Sequence, residues 1–396
     1  MRKIRATLSY SLVQAALWGT YAVILCFASN FLLANGLNNV AVSIVLGVST
    51  AISIVVQLVL GETVSRNPKR KIWKMMLVIS ALMLAGCAGM FLHGVQAVAV
   101  GGFALACVLL QTLPALVNAI GMDSIENGAP INFGLGRGCG SLAYSLMTFA
   151  AGLVIRDRDA YRVELLGAAV VAAFAVSVVL FHFLGEREKT VSTQQEAQGS
   201  GGGFLLRHKR FALFLVGSVL LYVDHNLICS FMLQIMEEKI THGDVHDAQG
   251  TALAIGAILE LPAMFAFTKL LKLARCDTWV KISCVFFAAK SFAFYFASTK
   301  YCIYAAQVLQ LAGFAVYTIS SVHYAGKVIG RGEAVRAQTY LAATITIGSL
   351  IALSTGGIIC QYLGADTMLL IGSFAALLGT IIIFLAAEKI PKEETQ

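Results

Sequence analysis

The sequence is poor in charge. Only 13% of its 396 residues are Asp, Glu, Lys or Arg, 58% are hydrophobic, and the mean hydropathy is +0.79. A soluble domain carries about 25% charged residues, so an ordinary water-soluble globule is excluded. The apolar segments also lack the strict polar alternation that a lipid-facing β-barrel needs. The nine cysteines show no CxxC or metal-ligand spacing, and nearly all lie in or beside apolar runs, where they read as small apolar residues. No metal site is expected. The sequence has no P-loop, no HExxH and no Ser/His/Asp set, so neither an enzyme nor a bound cofactor is expected. FGLGRGCG, residues 133–140, has the alternating glycines of a dinucleotide loop without the preceding strand, and close helix packing at Gly134, Gly136, Gly138 and Gly140 is the better reading.

What the chain has instead is long apolar runs. Twelve stretches stand out, near 9–33, 40–64, 72–94, 96–120, 131–155, 163–184, 211–236, 249–271, 279–299, 302–325, 336–362 and 367–387. About 20 residues of helix cross a hydrocarbon core roughly 30 Å thick, and backbone groups in lipid must bond within their own segment. The expectation is an all-α polytopic membrane protein with twelve transmembrane helices in two six-helix halves. Between the halves, GEREKTVSTQQEAQGSGGGFLLRHKR is polar, charged and Gly/Ser-rich, which divides the chain into 1–184, a flexible linker over 185–210, and 211–396. MRKIR leads straight into a full-length span, so the first helix is expected to be an uncleaved anchor.

The basic residues orient the chain. With the amino terminus inside, 22 of the 29 Lys and Arg fall on cytoplasmic segments such as MRKIR, RNPKRKIWK and KLLKLARCDTWVK, against five outside. That bias puts both termini in the cytoplasm and the protein in the cell's cytoplasmic membrane, in contact with lipid. The net charge of +8 is then topological and implies no nucleic-acid partner.

Two bases are left over, Arg137 and Lys290, and both lie within spans; the same sorting of acids leaves Asp224 and Glu260, with Glu62 and Asp123 near the cytoplasmic boundary. A charge near the bilayer centre costs about 2.5 to 3.5 kcal/mol on insertion scales, so such groups face a partner or a wet cavity. Arg137, near the start of its helix, has the alternative of snorkelling to the interface. Arg137, Ser141, Tyr144, Ser145 and Thr148 form one helical stripe; Tyr10, Gln14, Trp18 and Tyr21 form a second, and Gln307, Gln310, Tyr317, Ser321 and Tyr324 a third. Such stripes serve either a hydrophilic pathway or hydrogen bonding between packed helices. His225, next to Asp224, is open to a proton role or to ordinary packing.

Two six-span halves, a basic central loop and cytoplasmic ends resemble the major facilitator superfamily. GETVSRNPKRK is similar to its signature G-x-x-x-D-x-x-G-R-K at Gly61 and the basic pair Lys69 and Arg70, with Ser65 in place of the Asp and Pro68 in place of the second Gly. Within the superfamily, INFGLGRGCGS, LYVDHN, AILELP and FFAAKSF resemble the oligosaccharide:proton symporters of the lactose-permease group and the neighbouring nucleoside symporters. The resemblance implies a sugar-binding role for Arg137, an acidic binding and coupling role for Glu260, a seventh-helix acid at Asp224, and Lys290 where the family has Arg. Asn118 falls where that permease has a Glu partnering the Arg. Where the family's tenth helix has Lys, His and Glu, this chain offers Gln307, Gln310 and Gly313, which argues against lactose as the solute.

The expected function is therefore secondary transport of a small polar solute, sugar or nucleoside-like, by alternating access, with a proton as the coupling ion. Arg137, Glu260, Asn118 and Gln310 would bind the solute, Trp18, Tyr21 and Tyr144 would stack on it, and Asp224 and Lys290 would form a compensating charge pair. Efflux of an amphipathic compound, or a solute receptor on the same fold, are the alternatives. No obligate protein partner is evident.

Overall fold

A computed structural model of the chain describes residues 2–66, 72–92, 94–126, 129–155, 160–184, 203–240, 244–329 and 334–390. The signature-like loop at 67–71 and linker residues 185–202 lie outside them, as do the side chains at 61–66 and 122–123, which include Glu62, Ser65 and Asp123. The described residues contain no β-strand. The chain forms two units, Met1–Glu196 and Ala197–Gln396.

The first unit contains α1 (Arg2–Ile24), α2 (Ala28–Ala34), α3 (Asn39–Arg66), α4 (Ile72–Met90), α5 (Gln96–Glu126), α6 (Phe133–Val154) and α7 (Ala160–Leu184). Helix α1 packs on α5, α6 and α7, and α4 packs on α5 and α7. Lipid tails are as apolar as Leu, so close packing of small residues must do what hydrophobic burial does in water. The α4–α5 crossing shows it: a Cβ placed on Gly86 would stand 2.7 Å from the carbonyl oxygen of Gly102.

The second unit contains α8 (Phe204–Arg207), α9 (Lys209–Ser230), α10 (Met232–Lys239), α11 (Val245–Leu273), α12 (Cys276–Phe296), α13 (Lys300–Gln307), a π-helical turn (Leu311–Ala315), α14 (Val316–Ile329) and α15 (Ala334–Ala386). Helix α9 lies along α15, with a Cβ on Gly379 reaching 2.7 Å from the carbonyl oxygen of Gly217. Phe211, Phe214, Tyr222, Phe287, Tyr317 and Tyr324 build an aromatic core between α9, α12 and α14.

Nine helical stretches among the described residues are long and apolar enough to cross a membrane. The last, Ala337–Ala386, is 50 residues, about twice what one crossing needs. It breaks at Gly364, whose φ of 84° and ψ of 163° suit only glycine, and the Glu238 carboxylate accepts from the backbone N–H groups of Ala365 and Asp366 just beyond. The expected spans at 336–362 and 367–387 meet there. Helix α6 is outside the nine because Arg137, its glycines and its hydroxyls dilute it, and α11 because its side chains at 264–272 are not described.

One boundary needs correction. The flexible linker expected to run to 210 ends earlier: residues 204–207 are helical, and the 2% exposed Phe204 stacks on Tyr340 with centroids 5.3 Å apart. An aromatic side chain with a core to enter ends a linker, whatever the polarity of its neighbours.

Candidate functional site

In the first unit the candidate site is built on two glycines. Asn132 caps α6 by accepting from Leu135 N–H at 3.0 Å, which starts the helix early enough to put Arg137 on its second turn. Around Arg137, Gly136 and Gly140 present bare backbone to α1. A Cβ on Gly136 would stand 2.6 Å from the Tyr10 ring, and one on Gly140 would stand 2.5 Å from the Trp18 ring. Gly134, by contrast, faces only its own Asn132, so the packing reading fits Gly136 and Gly140 and does not extend to Gly134.

The aromatic rings admitted by those glycines meet the charge. The Arg137 guanidinium carbon lies 4.0 Å from the Trp18 ring centroid, a cation–π contact at half-buried depth. Trp18 packs on Tyr21 with centroids 5.1 Å apart, and its Nε1 donates to Gln14 Oε1 at 3.2 Å. Buried Gln14 in turn donates to the Tyr10 hydroxyl at 2.7 Å and to Oδ1 of the exposed Asn118 at 3.4 Å. Trp18, Asn118 and, through Trp18, Arg137 and Tyr21 are thus joined through one amide. The Tyr144 hydroxyl, further along α6, lies 2.8 Å from Cys26 Sγ. Ser145 and Thr148 are buried, and the Thr148 hydroxyl donates to carbonyls of its own helix, so the lower end of that stripe is packing.

The second unit treats its charges differently. Lys290 on α12 is 4% exposed and donates through Nζ to Gln310 Oε1 at 2.5 Å. Gln310 Nε2 donates to Glu260 Oε1 on α11 at 3.1 Å. One amide therefore turns its oxygen to the ammonium and its nitrogen to the carboxylate. Asp224, 1% exposed on α9, accepts from the hydroxyl of Ser291, the residue after Lys290. Ser291 Oγ also lies 3.0 Å from Ser373 Oγ on α15. Asp224 and Lys290, expected to form a compensating pair, are joined by no ion pair among the described residues; each hydrogen-bonds a neutral group, Ser291 for Asp224 and Gln310 for Lys290.

The backbone around Gln310 is irregular for a reason. Helix α13 ends at Gln307, and the π-helical turn follows Gln310, with Gly313 allowing the Phe287 backbone within 3.1 Å of a would-be Cβ. π-Helical turns are rare and cluster at functional sites. Glu260 lies two residues before Pro262, which has no N–H to donate to the carbonyl of Ile258. Gln307, 2% exposed, donates to the Ala252 carbonyl at 2.9 Å, while its buried Oε1 finds no hydrogen-bond partner among the described residues. His225 stacks flat on Phe314, centroids 3.9 Å apart, with Cys229 Sγ 3.7 Å from Nε2. On the third stripe, Tyr317 pairs with Ser218 at 2.6 Å and the Tyr324 hydroxyl accepts from Glu388 N–H at 2.9 Å, so those two residues serve packing.

Sequence reasoning misses several participants. Ser291 and Ser373 carry no signal of their own beyond the KS dipeptide, and Gly372 is needed because a Cβ there would lie 2.8 Å from Asp224 Oδ1. Glu164 on α7, at the start of the expected span 163–184 and passed over when the acids are sorted, is a fully buried carboxyl. Among the described residues no group of three or more His, Cys, Asp or Glu is placed to hold a metal ion.

A profile of the MFS_1 like family matches residues 8–371, and the chain belongs to that family. No curated protein sequence matches the chain. Among solved structures it is similar to a point mutant of the nucleoside transporter NupG, at TM-score 0.78 and 14% identity over 98% of this chain and 100% of that one. It is also similar to an autoinhibited POT family peptide transporter, at TM-score 0.75 and 11% identity over 100% and 99% of the two chains. A bacterial homologue of the iron transporter ferroportin, in an inward-facing state, gives TM-score 0.72 and 13% identity over 98% of each chain. The fold is thus a multi-pass membrane transporter fold of the major facilitator type.

Proposed function

We propose that the protein moves a small polar solute, of the sugar or nucleoside class, across the cytoplasmic membrane by alternating access in symport with a proton. It would do so with twelve spans in two six-helix halves and both ends in the cytoplasm. The observation that carries the reading is the Lys290–Gln310–Glu260 chain with Asp224 close by. Two carboxylates and one ammonium leave this set with a net negative charge, and one proton on Glu260 brings it to neutrality. A neutral set is far cheaper to enclose in a dry environment than a charged one, so proton uptake and closure are linked. Solute hydroxyls competing for Gln310 would tie that step to solute binding.

In the first unit, Arg137 offers a planar fork for hydroxyl or carbonyl oxygens, with Asn118 as a neutral partner. Trp18, Tyr21 and Tyr144 supply faces for a sugar ring or a nucleobase. The aromatic content beside the arginine, together with the likeness to a nucleoside transporter, favours nucleosides as the first class to test. His225, stacked on a ring, is assigned no proton-carrying role. The test is counterflow in proteoliposomes: labelled nucleosides and sugars are offered to vesicles loaded with unlabelled solute. Exchange of one class supports the reading. A solute that raises thermal stability without exchanging would identify a receptor instead.

A further inference from the structure

The end of α12 that begins at Cys276 and the end of α15 near Ala386 lie side by side, joined where Ile390 N–H donates to Asp277 Oδ1 at 3.3 Å. Between them is a groove of about 470 Å³. Three cations line it: Arg275 just ahead of α12, Lys281 within its second turn, and Lys389 just past α15. Deeper along the same helices its walls are the exposed apolar side chains of Ile282, Val285, Phe286 and Phe384.

The two helices run in opposite directions, yet both place their basic residue at the same end and their apolar residues beyond it. The groove therefore changes from cationic to greasy along its length, as a lipid changes from headgroup to chain. Lys281 Nζ lies 5.8 Å from the Phe384 ring, spanning that transition. The one carboxylate in the lining, Asp277, is already held by Arg275 through bonds of 3.0 and 2.7 Å and is 2% exposed. The lining keeps a surplus of two positive charges, and Thr278 adds a hydroxyl donor. Both helices belong to stretches apolar enough to span a membrane, Cys276–Phe296 and Ala337–Ala386, so this junction lies at the level where headgroups sit.

We propose that this groove binds an anionic phospholipid, its phosphate between Lys281, Lys389 and Arg275 and one acyl chain along Phe286 and Phe384. Basic pockets between transmembrane helices on the cytoplasmic side are where anionic headgroups are held, and the charge order of the chain puts this end there. The site is separate from the Glu260 network and is independent of which solute is carried.

The test is native mass spectrometry of the full-length protein released from vesicles of mixed phosphatidylglycerol and phosphatidylcholine. Wild type should retain phosphatidylglycerol in preference to phosphatidylcholine. Lys281→Gln with Lys389→Gln should lower that retention about thirtyfold, the scale of two cations beside an anionic headgroup. The double Lys→Arg variant should restore it, and Lys300→Gln elsewhere in the unit should leave it unchanged. Phe384→Gln should weaken retention of the lipid without affecting free inorganic phosphate. Equal retention by wild type and the double Gln variant, absence of preference for the anionic lipid, or full displacement of the lipid by inorganic phosphate would each overturn the proposal.

Discussion

The two units solve the problem of a charge in lipid in opposite ways. In the first, the Arg137 guanidinium sits half-exposed against the Trp18 ring, over a helix stripped to glycine. In the second, Lys290 is buried and tied through the Gln310 amide to Glu260, with Asp224 held by a serine beside it. The aromatic face stacks on its cation, whereas the amide bridge ties a cation to its counter-charge. The difference teaches a division of labour: a half-exposed arginine among rings is suited to recognition, and a set of two carboxyls and one ammonium, one proton short of neutrality, is suited to changing its charge by one proton. Both units also interrupt their first long helix, at 25–27 in one and at Phe231 in the other, so the contrast lies in side chains more than in architecture.

The largest expected effect comes from removing the enclosed cation. Lys290→Ala leaves two carboxyls without their counter-charge and should destabilise the protein by about 3 to 5 kcal/mol, read by unfolding in detergent and by membrane levels. Adding Asp224→Asn should recover part of that loss. If the double variant is no better than the worse single one, the balance is not shared.

Arg137→Lys sharpens the other side of the comparison. It keeps the charge and discards the planar fork and its stacking, so solute affinity should fall by about 1.5 to 3 kcal/mol, roughly tenfold or more, with folding unchanged. Equal affinities in an equilibrium binding assay would return Arg137 to a snorkelling role.

A smaller pair of effects separates the units by packing alone. Gly140→Ala pushes on Trp18 and Gly372→Ala on Asp224 Oδ1, where the new Cβ atoms would lie 2.5 and 2.8 Å from those groups. Each should cost about 1 to 3 kcal/mol of stability. Beyond that shared cost, Gly140→Ala should weaken solute binding and Gly372→Ala should alter the pH dependence of uptake. The same functional change in both would erase the distinction.

Much of the site is legible in the sequence, because lipid makes every interior charge conspicuous: Arg137, Lys290, Asp224 and Glu260 stand out by sorting charges across spans. What joins them is not legible there. Gln310 bridges Lys290 and Glu260 just ahead of an irregular turn, and a 3.6-residue period shows neither the bridge nor a π-helical turn. Periodicity also tells which residues share a face and not where that face points, so spacing leaves Tyr317 and Tyr324 open to pathway or packing, and the fold makes them packing residues. Glu164 escapes charge sorting because it lies two positions from Arg162, at the boundary of a span. Phe204 anchors the chain from within a stretch whose composition is that of a linker.

The central claim is that recognition and proton coupling are separable, the first resting on Arg137 and the second on Glu260. Proteoliposomes with an imposed pH gradient test it most directly, by comparing gradient-driven accumulation with counterflow for Glu260→Gln. The neutral amide can keep the hydrogen bond to Gln310 but cannot carry a proton. The account predicts that counterflow persists while gradient-driven accumulation and solute-driven alkalinisation are lost; pH-driven accumulation retained at the wild-type level would contradict it.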